Sequence, residues 1–133
     1  MKEAAYKVFA QQNEMFFFAP KKFDCLLISK KEGMVFYKDE IFYTSSIVTQ
    51  NYIFTLARYQ KLIKPYSKFV IPQVIDIMIK IKLANVTKFS AKEIEQKKTK
   101  NGAPFYYYKD ILLTRSCSIS HHGNYGVFSL LYA

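Results

Sequence analysis

The chain has no tryptophan, two cysteines, two histidines, four glycines and four prolines among 133 residues, and its only arginines are Arg58 and Arg115. Each scarcity closes a class of function. Cys25 and Cys117 are too few for the disulfide framework of a small secreted domain. Cys117 with the adjacent His121-His122 supplies three of the four ligands that zinc requires, and a fourth is absent from that neighbourhood. Gly33, Gly102, Gly123 and Gly126 are scattered and read as turn glycines, so no glycine-rich loop is present to cradle a nucleotide triphosphate. No stretch reaches the roughly 18 uncharged apolar residues of a membrane span. Met1 to Gln12 is polar and amphipathic, unlike a signal peptide. These features lead us to expect an intracellular, cytoplasmic protein with no membrane partner.

The sequence is rich in positive charge and in aromatic rings. Twenty basic residues face ten acidic ones, giving a formal net charge of +10, alongside 11 tyrosines and 12 phenylalanines. Positive charge attracts a polyanion without regard to sequence, and tyrosine and phenylalanine offer flat faces for stacked bases. Nucleic acid, DNA or RNA, is therefore the expected partner. The charge is almost wholly lysine. Lysine is a point charge suited to phosphate, whereas arginine is the better bidentate reader of guanine. The balance favours contact with the backbone over readout of bases.

The length suits a single domain, residues 1–133, and half of the residues are hydrophobic, enough for a core. Lys2 to Gln12 has Ala5, Val8 and Phe9 on one helical stripe. Met15 to Ala19, Phe23 to Ser29 and Met34 to Tyr43 read as three short strands in an antiparallel meander, with Lys30-Lys31-Glu32-Gly33 as a turn. Cys25 falls in the apolar run from Phe23 to Ile28 and reads as a buried small hydrophobe. Ser45-Ser46 caps an expected helix to about Lys64, with Ile53, Leu56, Ala57, Gln60 and Ile63 on its stripe, and Pro65 ends it. Val74 to Leu83 alternates strictly, which predicts a half-buried strand. Ser90-Ala91-Lys92-Glu93 matches a capping box opening a short helix. A basic loop from Lys97 to Pro104 leads to strands over Phe105 to Tyr108 and Ile111 to Ser120. A turn at His121 to Gly126 and a last strand from Val127 to Tyr132 follow. No internal repeat is evident. The expected class is α+β: a helix, an antiparallel three-stranded meander, a helix and further strands.

Over residues 2–83 this order, with Asp24 on the second strand and Lys38-Asp39-Glu40 on the third, resembles the core of the restriction-endonuclease-like nucleases, which include Holliday-junction resolvases. The resemblance implies a metal-dependent nuclease. In that family an Asp and an acidic-x-Lys motif hold Mg²⁺ and position water, and some members add a Gln on the next helix. Here the third strand carries Lys-x-acid, the reverse order. Carried over, Asp24 and Glu40 would be the metal carboxylates, Lys38 the water-positioning group and Gln60 the helix residue. Mg²⁺ requires such oxygen ligands. Each residue also has a structural reading: Asp24 as a turn cap, Lys38 to Glu40 as a charged edge, Gln60 as an internal hydrogen-bonding group.

The strongest candidate for nucleic-acid contact is the segment holding Lys92, Lys97, Lys98, Lys100 and Lys109 around Phe105 to Tyr108. Tyr106 and Tyr108 share a strand face and are the expected stacking residues. Lys21, Lys22, Lys30 and Lys31 extend a basic rim. Two further readings compete. One is a non-enzymatic protein-interaction or inhibitor protein of a mobile element. The other is a small metal-independent ribonuclease using His121 or His122 to move the 2′-hydroxyl proton.

Overall fold

The computed structural model describes residues 1–13, 20–100 and 102–133, so the strand expected at Met15–Ala19 lies outside the described residues. The class is α+β, with mostly antiparallel sheets. The chain divides into two compact units, Met1–Ile63 and Lys64–Ala133.

The first unit opens with helix α1 (Lys2–Asn13) and continues through β1 (Asp24–Leu27), β2 (Glu32–Tyr37), β3 (Glu40–Val48) and β4 (Ile53–Arg58). The four strands form one antiparallel sheet in chain order. Its core is the face on which Phe23, Val35, Tyr37 and Phe42 bury against Ala5 and Phe9 of α1. Phe23 stacks on Tyr37 at 4.4 Å, and Phe9 meets the same ring edge-on at 4.8 Å. Both geometries suit the aromatic quadrupole.

The second unit comprises β5 (Tyr66–Val70), α2 (Ile75–Thr87), β6 (Ile94–Lys98), β7 (Pro104–Tyr108), β8 (Ile111–Leu112), β9 (Thr114–His122) and β10 (Tyr125–Tyr132). One sheet has the order β5-β10-β9 and the other β6-β7-β8. β8 and β9 are consecutive and part at Leu113, whose amide still bonds the Tyr106 carbonyl at 2.8 Å. Ile75, Ile79 and Leu83 of α2 pack with Ile94, Tyr106, Leu113, Cys117, Phe128 and Leu130.

Four expectations fail here. Residues 46–64 are not a helix. Ser45 and Ser46 belong to β3, and β4 pairs with it from Tyr43↔Arg58 to Val48↔Ile53. The turn between them is closed by Thr49, whose hydroxyl accepts the amides of Asn51 and Tyr52 at 3.2 and 3.0 Å. Ser46 and Thr55 then bond across the strands at 2.9 Å. β-branched Ile47, Val48, Ile53 and Thr55 fit this pleated surface better than a helix.

Val74–Leu83 is not a strand but most of α2. Alternating isoleucines also place Ile75, Ile79 and Leu83 four residues apart, on one helical face, and those three are buried. The helix leaves Ile77 and Ile81 exposed. Pro72 sits in the short 3-10 turn leading in, Asp76 lies in the first turn, and Lys80 pairs with it at 2.9 Å.

The third failure is Met34–Tyr43 as a single strand. It is broken at Lys38-Asp39 into β2 and β3, with Tyr37 opposite Glu40. The capping box is also unrealised: Ala91–Glu93 forms a 3-10 turn and Ser90 makes no side-chain cap bond.

A repetition unseen in the sequence emerges from the elements. In each unit a helix precedes a meander, and a Tyr-Lys-Asp turn joins two of its strands: Tyr37-Lys38-Asp39 and Tyr108-Lys109-Asp110. Both lysines have φ of 53°, and their ammonium groups lie 5.4 and 5.2 Å from the centroid of the preceding tyrosine ring. The cation–ring contact helps hold a left-handed backbone that non-glycine residues seldom adopt.

The second core is pinned by a polar chain. The Tyr106 hydroxyl donates to Asp76 Oδ1 at 2.9 Å and accepts from Gln96 Nε2 at 2.9 Å, tying β6 and β7 to α2. Tyr106→Phe is expected to lower stability by about 1–2 kcal/mol, because it removes a bond to a charged acceptor and leaves Gln96 unmatched. Urea denaturation monitored by circular dichroism measures the loss, and an unchanged midpoint would deny the chain any role.

Candidate nucleic-acid interface

The β6–β7 hairpin sets the site. Its loop closes through Thr99: the Thr99 amide bonds the Ala103 carbonyl at 2.9 Å, and the Thr99 hydroxyl accepts the Ala103 amide at 3.2 Å. Gly102 occupies the left-handed region at φ 80°, which closure of this short loop uses and glycine supplies without strain. The register is then Ile94↔Tyr108, Glu95↔Tyr107, Gln96↔Tyr106, Lys97↔Phe105 and Lys98↔Pro104.

Residues directly opposite share a face and neighbours along a strand alternate. Tyr106 and Tyr108 therefore join Ile94 and Gln96 on the face toward α2. Tyr106 is 0 % exposed. Burial, then its bond to Asp76, pushes its hydroxyl pKa well above the ordinary range. Tyr108 stacks on Phe89 at 4.0 Å and 8°. Tyr106 therefore has no face to offer a base, whereas Tyr108 is half-buried with one face against Phe89.

The opposite face holds Glu95, Lys97, Phe105, Tyr107 and, opposite Tyr107 on β8, Leu112. Phe105 and Tyr107 are half-buried and Lys97 is exposed. Lys97 Nζ lies 4.9 Å from the Tyr107 ring centroid. Two aromatic rings thus follow each other on one face, two residue rises or ~7 Å apart, beside an ammonium group. The aromatic run Phe105 to Tyr108 points to this hairpin; of the expected pair, Tyr106 is buried toward α2, and the opposite face carries Phe105 and Tyr107.

The expected lysines are all exposed, and they form two groups. Lys97, Lys98 and Lys100 lie at the loop end of the hairpin. Lys92 precedes Ile94, and Lys109 follows Tyr108, so these two sit at the other end. The five residues of β7 separate the groups by roughly 13–17 Å.

The nuclease residues are not brought together. Asp24 pairs with Phe36, and Phe36 with Ile41, so Asp24 shares a face with Ile41 and not with its neighbour Glu40. Carboxylates on opposite faces and two strands apart cannot share one Mg²⁺ ion, so these residues do not fit that metal. Lys38 serves the Tyr-Lys-Asp turn. Gln60 lies exposed in the turn after β4, where its carbonyl accepts the Ile63 amide, and not on a helix. Among the described residues no group of three His, Cys, Asp or Glu side chains is placed to hold a metal. Over residues 2–83 the described order is α1, β1 to β5 and α2, so the helix and strand expected after the meander exchange places.

His121 and His122 are exposed neighbours at the end of β9, opposite Gly126 and Tyr125. They point to opposite faces, so they cannot flank one scissile phosphate as an acid–base pair. Cys25 and Cys117 are not joined in a disulfide; Cys25, expected to be buried, is exposed, and Cys117 is buried. Burial pushes the Cys117 thiol up to about 12. It behaves as a core hydrophobe.

The raised pKa values of Cys117 and Tyr106 carry a sign. The unfolded chain loses these protons first, so stability is constant below the ordinary thiol pKa and falls as pH rises above it. We expect a decline of about 1.4 kcal/mol per pH unit from Cys117 above pH ~9, with Tyr106 adding to it above ~10. Denaturation midpoints from pH 7 to 11 test this, and a Cys117→Ala variant should show the shallower decline.

Among the described residues no helix is long and apolar enough to cross a membrane. Comparison with protein-family models, with curated proteins and with solved structures gives no match.

Proposed function

We propose that the protein binds nucleic acid through the outer face of the β6–β7 hairpin, favouring single-stranded or unstacked strands and reading the backbone more than the base sequence. One observation carries the reading: Phe105, Tyr107 and Lys97 share one face of the hairpin. Stacking needs unpaired bases, which is why a duplex is the poorer ligand. A strand laid along β7 meets Lys97, Lys98 and Lys100 at one end and Lys92 and Lys109 at the other. The excess of lysine over arginine supports phosphate contact without strong base discrimination. Glu95, on the same face, limits how densely phosphates gather there.

The test is anisotropy with labelled single-stranded and duplex oligonucleotides over a range of salt. Single strands should bind more tightly. Replacing Lys97, Lys98 and Lys100 with Gln should weaken binding and flatten the plot of log affinity against log salt by about two units, at roughly 0.7 per lost contact. An unchanged slope would remove this hairpin from the binding surface.

A further inference from the structure

We infer that β1 is a docking edge for an extended segment of another protein, one with an apolar middle and acidic ends. The inference is independent of the nucleic-acid reading and uses a different surface.

Sheet edges present unpaired backbone donors and acceptors, and proteins usually guard them with charge. Three edges of the second unit follow this rule: β5 carries Lys68 at its centre, β6 carries Glu95, Lys97 and Lys98, and β9 carries Arg115; the fourth, β8, is apolar and exposed but only two residues long. β4 is half-buried along all but its first residue, Ile53. β1 differs. Among the described residues it pairs on one side only, with β2, and all four of its side chains are exposed. Leu26 is 51 % exposed, Leu27 70 % and the following Ile28 59 %. Beyond its first residue, Asp24, no charge interrupts the strand. Strand addition to such an edge draws affinity from main-chain hydrogen bonds and specificity from alternate side chains.

Charge selects the occupant. Lys21 and Lys22 precede the strand, and Lys30 and Lys31 follow it, all four exposed. The bend after the strand is held by Ser29, whose hydroxyl accepts the amides of Lys31 and Glu32 at 3.2 and 3.1 Å. A second copy added antiparallel would bring Lys21-Lys22 against Lys30-Lys31. Added in parallel, it would bring each pair against itself. Either way like charges meet, which disfavours self-pairing. A foreign strand with carboxylates at both ends meets opposite charge at both.

The test uses a labelled peptide of alternating valine and threonine with two glutamates at each end, the same peptide with lysine ends, and a backbone N-methylated glutamate-ended control. We expect the glutamate-ended peptide to bind and to slow amide hydrogen exchange at residues 24–28. N-methylation should weaken it about tenfold or more by removing main-chain donors. A variant with Lys21, Lys22, Lys30 and Lys31 all replaced by Glu should reverse the preference toward the lysine-ended peptide, a gain that a misfolded variant would not show. Binding of neither peptide, affinity indifferent to N-methylation, or protection elsewhere would overturn the inference. So would a concentration-dependent dimer that protects residues 24–28, which would make the occupant a second copy. Protection of the same residues by an oligonucleotide would make it nucleic acid.

Discussion

Tyr107→Ala is expected to weaken binding of a labelled single-stranded oligonucleotide by about 1–3 kcal/mol, some fivefold to 150-fold. The effect comes from losing a flat face beside Lys97, whose ammonium lies 4.9 Å from the ring centroid. Tyr107→Phe keeps that face and should keep most of the affinity. Tyr106→Phe should leave affinity unchanged while costing stability, because its ring is buried against α2 and its hydroxyl bonds Asp76. The contrast between adjacent tyrosines separates a stacking role from general weakening of the hairpin. Equal losses at both positions, or none at Tyr107, would contradict the assignment of faces.

The largest expected stability effect lies on another sheet. Gly126 sits in β10 opposite Val70 of β5. A Cβ there would come within 2.7 Å of the Val70 carbonyl oxygen, 2.9 Å of Ile75 Cδ1 and 3.3 Å of Pro72 Cα. Two of these three neighbours are backbone and cannot rotate away. Gly126→Val should therefore cost about 2–4 kcal/mol through overpacking and distortion of the β5–β10 ladder. Gly123 makes the contrast. It occupies φ 57° in an open turn with nothing near its missing Cβ, so Gly123→Ala should cost only the ~1–2 kcal/mol of a left-handed backbone. Urea midpoints for the two variants give the ranking, and a reversed order would contradict the packing described for β5, β10 and α2.

Gly126 shows what a sequence conceals. It reads as a turn glycine beside His121-His122, yet its requirement comes from the close approach of β5, more than 50 residues earlier in the chain. Ile111 to Ser120 is parted at Leu113 between two sheets, whereas the α+β class, the strands at Phe105 to Tyr108 and Val127 to Tyr132, and the α1 stripe are legible. Local pattern decides those elements. The alternating isoleucines of α2 were not decisive, because a period of two contains a period of four, and burial against Tyr106, Cys117 and Phe128 resolves the choice. Thr49-Gln50-Asn51 lacks the glycine or proline that announces a hairpin, so β4 was read as a helix.

The candidate site was legible in composition but not in phase. Lysines flanking an aromatic strand point to the β6–β7 hairpin, the surface proposed here for nucleic acid. Which aromatic residues face outward depends on where α2 packs, and three consecutive tyrosines give no alternation from which to tell. The nuclease carboxylates failed for a related reason. Their convergence required a register, and the two-residue turn at Lys38-Asp39 puts Asp24 and Glu40 on opposite faces.

The most direct test of the proposed function is to titrate ¹⁵N-labelled protein with a short single-stranded oligonucleotide and map amide chemical-shift changes. The account predicts the largest changes at Glu95, Lys97, Phe105, Tyr107 and Leu112, with lesser ones in the Thr99–Ala103 loop. Changes centred on residues 24–28 or on His121-His122, with the β6–β7 face unmoved, would contradict it.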